Sequence, residues 1–183
     1  MRNNILIACV LTSVFFSCIK QQSKDIVWEK SAEENINKWV GNRMWLPKDL
    51  QILPEGINDK DVYDSKLKIV TSIDVTCGTC LMDFEFWKTF VIELNQRKLN
   101  CKVLVFVYGS DLDQIKATIK QLNVSIPCAI DLSNSFLSNN HITDKRISCA
   151  LLDRENRVQL IGSPVLNTQL SDLYFQKIEE LLE

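Results

Sequence analysis

The sequence predicts an α/β fold in which a central mixed β-sheet is flanked by helices. Two continuous apolar segments, residues 66–75 and 101–109, are predicted to be buried strands, and each is followed by a segment with helical spacing. Continuous apolar strands are typical of a sheet that is covered on both faces. A predicted hairpin and a closing helix end the chain, so the order of elements implies one mixed sheet.

Three amphipathic helices are predicted from apolar residues that recur every three or four positions. The first begins at Cys80 and ends near residues 99–100, the second covers residues 111–122, and the third covers residues 168–182. Ser110 or Asp111 is suited to capping the second helix.

The remaining predicted elements are shorter. A capping-box pattern at Ser31 predicts a helix that runs to about Val40. Residues 43–53 favour a short strand, and residues 54–65 have the composition of a loop. Three further elements precede the last helix: a short strand within 125–132, a short helix or turn within 133–142, and a hairpin that turns at 154–156.

The composition is that of a globular protein. The chain has 183 residues, of which 46% are hydrophobic and 24% charged, and its formal net charge is −2. This length allows one domain with a full core and is short for two. A protein that binds nucleic acid usually carries a basic stripe, and the sequence shows none. Nucleic acid is therefore not an expected partner.

The N-terminus indicates export from the cytoplasm. A short basic segment, residues 1–4, precedes the apolar run 5–16. That run is too short for a membrane-spanning helix, which needs about 20 residues, but it is typical of a signal peptide. The following Ser17-Cys18 resembles a bacterial lipobox, in which cleavage leaves Cys18 as a lipidated N-terminus, although the preceding "FF" departs from the usual pattern. An ordinary secretory signal or a signal anchor is the alternative.

These features divide the chain into three parts. Residues 1–17 are predicted to be the signal peptide, residues 18–41 the lipidated cysteine with a tether and a short helical extension, and residues 42–183 the globular domain. The lipid anchor predicts a protein of the bacterial cell envelope, with its domain in the periplasm or extracytoplasmic space.

The cysteine count fits an exported protein with one reactive pair. Of seven cysteines, Cys9 leaves with the signal peptide and Cys18 carries lipid. The five that remain are Cys77, Cys80, Cys101, Cys128 and Cys149. Outside the cytoplasm an odd set of five does not make a complete disulfide framework. A single reversible pair with buried thiols fits better.

Cys77 and Cys80 form a CxxC motif between a predicted strand and a predicted helix, in the stretch "DVTCGTCLMDFEFW". At the start of a helix, unpaired N–H groups and the helix dipole stabilise a thiolate. Cys77 is therefore predicted to have a lowered pKa and to be the nucleophile. Cys80, one helical turn on, is placed to resolve a mixed disulfide with Cys77. Gly78 is expected to permit the tight approach of the two.

A metal site and a purely structural disulfide are the other interpretations of this motif. A closed zinc site takes four ligands, typically from a second CxxC or a pair of histidines. The chain has one His and no second CxxC. The sequence therefore favours a redox dithiol, with no metal and no cofactor.

The chain from about residue 42 to residue 183 resembles the thioredoxin-fold thiol–disulfide oxidoreductases, in particular the membrane-tethered TlpA/ResA-like branch. Four features in order carry the resemblance: "WLP" before the first long strand, strand–CGTC–helix, the insert "IPCAIDLSNSFLSNNHI", and "ALLDRENRV". Asn156 stands where the family's turn usually has Gly, and Asn is the non-Gly residue best tolerated at positive φ. The resemblance implies a thioredoxin-like fold with an inserted strand–helix element and an N-terminal extension.

The resemblance also assigns residues around the dithiol. The family's cis-Pro, which faces the dithiol, falls at Ile147, so Ile147 and Ser148 form the predicted substrate-facing loop. A trans bond is expected there, because a cis bond without proline costs about 3–4 kcal/mol. Thr76 replaces the Trp that often precedes the first Cys. The family's buried carboxylate falls near Thr71, which leaves Asp74 as the only acid expected nearby and as an auxiliary candidate.

Cys149, just after that loop, is a second auxiliary candidate. It would act as a third redox thiol, although a Cys in such an apolar segment is more often a buried hydrophobe. Cys101 and Cys128 are predicted to be core residues, and the lone His141 a surface residue.

These inferences predict an envelope-anchored thiol–disulfide oxidoreductase that uses Cys77 and Cys80. The resemblance implies a monomer that reduces protein disulfides and is fed by a membrane thiol protein as electron donor. The absent proline instead favours a non-catalytic binding lipoprotein of the same fold, with a structural or vestigial CxxC. A copper or zinc carrier is the third hypothesis, and it requires metal bound through the two cysteines.

Overall fold

The computed structural model describes residues 37–144, 147–165 and 167–183, and Trp39–Glu183 form one compact unit. The predicted signal peptide, the lipidated Cys18 and the tether lie outside the described residues, as do the first residues of the helix predicted from Ser31. No helix in the described ranges is long and apolar enough to cross a membrane.

Six strands form one mixed sheet in the order β1-β4-β3-β2-β5-β6. They are β1 (Ile52–Leu53), β2 (Leu67–Asp74), β3 (Cys101–Tyr108), β4 (Cys128–Ile130), β5 (Ala150–Asp153) and β6 (Val158–Ile161). The three strands β2, β3 and β4 run parallel, whereas β1 and the β5–β6 hairpin pair antiparallel with their neighbours. The predicted mixed sheet is confirmed.

The described helices are α1 (Asp59–Tyr63), α2 (Gly78–Leu81), α3 (Asp83–Gln96), α4 (Leu112–Gln121), α5 (Ser135–Asn139) and α6 (Thr168–Leu182). α6 has the bounds that its apolar stripe predicted. Asp111 caps α4, because its carboxylate accepts a hydrogen bond from the Gln114 amide at 2.8 Å.

Three elements differ from the sequence prediction. α1 lies in a segment predicted to be a loop, where Asn58 caps it and Val62 is buried. The predicted strand within residues 43–53 is reduced to β1. The predicted helix from Cys80 is interrupted at Met82, whose N–H bonds to the Thr79 carbonyl at 3.2 Å. This is the shorter hydrogen-bond spacing of a 3₁₀ turn, and it separates α2 from α3.

Apolar side chains cover both faces of the sheet. Successive residues of a strand point to opposite faces, so Ile69 and Val105 join a layer that contains residues of α3, α4 and α6. Val70 and Phe106 join a second layer with α5 and the segment 39–46. Burial on both faces explains why β2 and β3 have continuous rather than alternating apolar sequences.

The end of the sheet away from the CxxC motif contains a buried cation. Lys68 is 0% exposed, and its amine donates to the Asp153 carbonyl at 3.2 Å and to the Asn156 side-chain oxygen at 2.9 Å. Burial lowers the pKa of Lys68. Asn156 has a φ of 62°, as expected from its place in the hairpin turn.

Candidate active site

Cys77 and Cys80 are joined by a disulfide just beyond the end of β2, with their Cα atoms 5.2 Å apart. A turn closed by the Cys77 amide and the Asp74 carbonyl, at 3.3 Å, leads from the strand into the motif. Cys77 is the N-cap of α2, and Cys80 lies within that helix. The predicted order of strand, CxxC and helix is therefore the order that the structure shows.

Two groups face the sulfur of Cys77. The Cys80 backbone amide donates to it at 3.3 Å, and the Thr79 hydroxyl lies 3.3 Å from it. Both cysteines are partly exposed. Hydrogen-bond donors stabilise a thiolate more than a thiol, so this arrangement supports the prediction that Cys77 is the nucleophile after reduction.

Two glycines near the motif differ in their roles. A Cβ on Gly78 would have no atom within 4 Å, so the expected steric need for glycine inside the motif is wrong. A Cβ on Gly109, just after β3, would lie 2.6 Å from a methyl group of Val75. Close packing therefore requires glycine at Gly109, beside the segment that carries the motif.

A small polar cavity of about 70 Å³ lies beside Cys80. Its lining is Thr71, Ser72, Asp74, Cys80, Asp83, Trp87, Tyr108, Ser148 and Ser163. A polar cavity of this size has room for ordered water. Of the two cysteines, it is Cys80 that lines this cavity.

The cavity brings two carboxylates to Cys80. One oxygen of Asp74 accepts hydrogen bonds from the Thr76 amide at 2.9 Å and the Thr76 hydroxyl at 2.6 Å. Asp83 lines the same cavity, so the expectation that Asp74 is the only nearby acid is wrong. The signal that finds Asp83 is its spacing, because it follows Cys80 by three positions, which is close to one helical turn.

The neighbouring groups of the cavity are also defined. The pKa of Tyr108 is raised by burial and, to a smaller extent, by the charge of Asp74. Thr71, which stands at the position predicted for the family's carboxylate, is 4% exposed and lines the cavity.

The predicted substrate-facing loop divides between two environments. Ser148 is 7% exposed and lines the cavity beside Cys80. Ile147 packs against the apolar layer that contains α5. The peptide bond before Ile147 involves Arg146, which lies outside the described residues, so the expected trans bond stays a prediction.

The other three cysteines of the compact unit are free and buried. Burial raises the pKa of each of the Cys101, Cys128 and Cys149 thiols to about 12. The Cys149 sulfur lies 3.8 Å from the Tyr174 hydroxyl. A thiol that stays protonated and is shielded from solvent fits packing better than a third redox role.

Within the described ranges, no group of three or more His, Cys, Asp or Glu side chains is placed to hold a metal ion. His141 is exposed, as predicted.

Solved structures with thioredoxin-like folds share this architecture. A protein provisionally called a protein disulfide isomerase, from Bacteroides thetaiotaomicron, is 16% identical with a TM-score of 0.60, covering 79% of this chain and 91% of that one. A thiol:disulfide interchange protein from Bacteroides sp. is 11% identical with a TM-score of 0.55, covering 73% and 90%. A protein provisionally called the thiol:disulfide interchange protein DsbE, from Chlorobium tepidum, is 14% identical with a TM-score of 0.53, covering 66% of this chain and 83% of that one.

No protein-family model and no curated protein matches the chain. The likeness to the solved structures shows that the chain has a thioredoxin-like fold.

Proposed function

We propose that the protein is a thiol–disulfide oxidoreductase that reduces disulfides of other proteins through Cys77 and Cys80. The observation that carries the proposal is a partly exposed disulfide at the end of β2, in which Cys80 borders a polar cavity with two carboxylates. The names of the structural neighbours, which describe disulfide interchange and isomerisation, support it.

The reaction starts from the reduced protein. The Cys77 thiolate attacks one sulfur of a substrate disulfide, the substrate S–S bond breaks, and the departing sulfur takes up a proton. Cys80 then attacks the Cys77 sulfur of the mixed disulfide and releases the second substrate thiol. The substrate gains two electrons, and the Cys77–Cys80 disulfide that forms has lost them.

The second step requires the Cys80 thiol to lose its proton. Asp83 lines the same cavity as Cys80 and is close to one helical turn away. Asp83 is therefore the first candidate for the proton acceptor, and Asp74, which lines the same cavity, is the second. The cavity has room for water that would connect the carboxylate to the sulfur.

The decisive experiment is an insulin-reduction assay with a dithiol as electron source, together with the reduction potential of the Cys77–Cys80 pair. Wild type is expected to accelerate the reaction. Cys77→Ser is expected to lose at least about 100-fold of this activity, because a serine hydroxyl is not a nucleophile at neutral pH. Cys80→Ser is expected to accumulate mixed disulfides with substrate proteins. No turnover that depends on Cys77 would refute the proposal.

A non-catalytic binding module of the same fold is the alternative, and the isoleucine at position 147 is the feature that favours it. That function predicts a Cys77–Cys80 disulfide that stays oxidised in mild dithiol. A potential too low for the pair to be reduced by protein dithiols would support this alternative.

The proposal extends to the location of the protein. Cleavage before Cys18 and its lipidation would tether the domain to a membrane of the bacterial envelope, on the extracytoplasmic side, where it would receive electrons from a membrane thiol protein. Labelling of cells with a palmitate analogue is expected to mark the protein, and Cys18→Ala is expected to remove both the label and membrane association. Labelling that survives Cys18→Ala would contradict the lipid anchor.

A further inference from the structure

The segment that leads into the compact unit holds a tryptophan outward between two buried residues. Met44 and Leu46 are 1% and 6% exposed, whereas Trp45 is 45% exposed. The buried side chain of Asn140 fixes the backbone of Trp45, because it accepts from the Trp45 amide at 2.9 Å and donates to the Trp45 carbonyl at 2.8 Å. The fold therefore presents this indole to the outside at a defined place.

Two arginines lie on the same side of this segment as Trp45. Arg43 and Arg157 are directly opposite each other in an antiparallel bridge, so their side chains share one face. Since side chains alternate along an extended segment, Arg43 and Trp45 also point to the same side. The Arg157 guanidinium donates to the Gly41 carbonyl at 3.3 Å.

The opposed arginines have like charges at a close distance. Within the described ranges, no ion pair joins Arg43 or Arg157 to a carboxylate. Like charges directly opposite each other destabilise a pair of strands. An anion from outside the chain would therefore stabilise this arrangement.

The surroundings of the two arginines are basic and apolar. Lys48 lines one shallow depression together with Arg43 and Trp45, and Val40 is 43% exposed. We call this region the Trp45 surface. Cations outnumber acids among its exposed charged residues, although the whole chain has a formal net charge of −2. These charged residues are Arg43, Lys48, Asp49, Arg154, Glu155 and Arg157.

We propose that the Trp45 surface docks the domain on a membrane of anionic phospholipid. Tryptophan is enriched at the boundary between membrane and water, because its ring is apolar and its N–H is polar. The guanidinium of arginine matches the geometry of a phosphate group, and basic side chains are attracted to an anionic lipid surface. The docking rests on the proposed location of the protein and is independent of the exchange reaction.

The place at which the chain enters the compact unit favours a membrane over a protein partner. The compact unit begins at Trp39, and the next residue, Val40, bridges to Val158. The segment that leads to Cys18 is therefore attached next to the Trp45 surface. A lipid on Cys18 would make the contact of this surface with the same membrane intramolecular, so that a weak affinity is sufficient.

Docking through this surface would turn the dithiol away from the membrane. Asp153, beside the hairpin turn, pairs with Leu67 at the start of β2, whereas Cys77 follows the other end of that strand. A strand of eight residues spans about 25 Å. The Cys77–Cys80 pair would then face the space in which soluble protein substrates diffuse.

The first test is sedimentation with lipid vesicles. The protein is residues 18–183 with Cys18→Ala, so that neither the signal peptide nor a lipid contributes. We expect it to bind vesicles of phosphatidylcholine mixed with phosphatidylglycerol, less strongly at high salt, and not to bind phosphatidylcholine alone. Arg43→Gln with Arg157→Gln is expected to lower the partition constant about 25-fold, from about fivefold for each cation.

The control for this variant removes the same charge on the other side of the sheet. Lys116→Gln with Lys120→Gln changes α4, which packs on the layer opposite to that of residues 39–46. This control is expected to keep the partition constant of the unsubstituted protein.

The second test locates the indole of Trp45. In a Trp28→Phe background, vesicles with brominated lipid tails are expected to quench the tryptophan fluorescence. Trp45→Phe is expected to remove this quenching, because Trp39 and Trp87 are 7% and 1% exposed. Trp45→Ala is expected to lower the partition constant about tenfold. Phe86→Ala, at an aromatic residue that is 40% exposed, is the control.

Equal partition constants for the double arginine variant and the unsubstituted protein would overturn the inference, provided that circular dichroism shows both to be folded. A dimer that forms without lipid and that Trp45→Ala dissociates would also overturn it, because a second copy would then cover the surface. The measurements involve neither lipidation of Cys18 nor the Cys77–Cys80 pair. Their failure is therefore distinct from failure of the palmitate-labelling or insulin experiments.

Discussion

The five cysteines of the compact unit lie in two contrasting environments. Cys77 and Cys80 are partly exposed at the end of β2, where an amide and a hydroxyl face one sulfur and a polar cavity borders the other. The remaining three, Cys101, Cys128 and Cys149, are at most 8% exposed within the apolar core. The same side chain therefore lies in two different surroundings, and solvent access and thiolate stabilisation, which control the reactivity of a thiol, differ between them.

The largest expected effect of this contrast is on alkylation. In the reduced native protein at neutral pH, Cys77 is expected to react with iodoacetamide at least about 100-fold faster than Cys101, Cys128 or Cys149, because their buried thiols stay protonated. Peptide mass spectrometry over a time course measures each rate. Urea is the control, since unfolding should bring the rates together. Equal alkylation rates for Cys77 and the three buried cysteines in the native protein would contradict the difference between their environments.

Replacing the Asp83 carboxylate tests whether the polar cavity helps Cys80 to lose its proton. Asp83→Asn is expected to slow resolution of a mixed disulfide by about 10- to 100-fold and to change its pH profile, because the amide cannot accept the Cys80 proton. The measurement is release of a labelled substrate thiol from a preformed mixed disulfide. Asp113→Asn, an exposed acid of α4, is the control. If Asp74→Asn alone slows the step, the proton acceptor is Asp74.

Alkaline pH tests the buried thiols as a group. Burial raises the pKa of all three from 9.0 to about 12, so above pH 9 the folded state keeps protons that the unfolded state has lost. Their contribution to stability is complete below pH 9 and disappears as pH rises toward about 12. The expected slope is up to about 1.4 kcal/mol per pH unit for each thiol.

The measurement is the free energy of unfolding by urea, in reductant, at about pH 8.5, 9.5 and 10.5, which covers the start of this pH range. Cys128→Ala is expected to lose stability less steeply with pH than wild type. If the unfolding free energy of Cys128→Ala falls with pH as steeply as that of wild type, the Cys128 thiol has the same pKa in the folded and the unfolded state.

The smallest expected effect is on stability at neutral pH. Cys128 is 0% exposed and its sulfur contacts the Ile126 carbonyl at 3.3 Å. Cys128→Ala is expected to reduce the free energy of unfolding by about 1 kcal/mol while exchange activity stays unchanged. Under reducing conditions, Cys77→Ser is expected to leave the free energy of unfolding unchanged and to abolish exchange activity. Urea unfolding and the insulin assay on both variants measure this; a stable, inactive Cys128→Ala protein would contradict the separation of roles.

Local sequence patterns predicted most of the fold because each is enforced by a repeating physical requirement. Residues 66–75 and 101–109 are mostly apolar without strict alternation because β2 and β3 are covered on both faces. The stripe of α6 was sufficient to place both of its ends. α1 was missed because it is short, and its capping by Asn58 and its single buried Val62 leave little periodicity to detect.

The sequence by itself determined that a CxxC pair stands between a strand and a helix, because strand pattern, motif and helical spacing are contiguous along the chain. Only the tertiary structure decided what surrounds the pair. The cavity beside Cys80 is built by β2, α3, β3 and two residues near the β5–β6 hairpin, which are distant in sequence. Ser148 meets Cys80 there because the sheet brings distant elements together, and that proximity depends on packing, whereas Asp83 is only three positions from Cys80 in sequence.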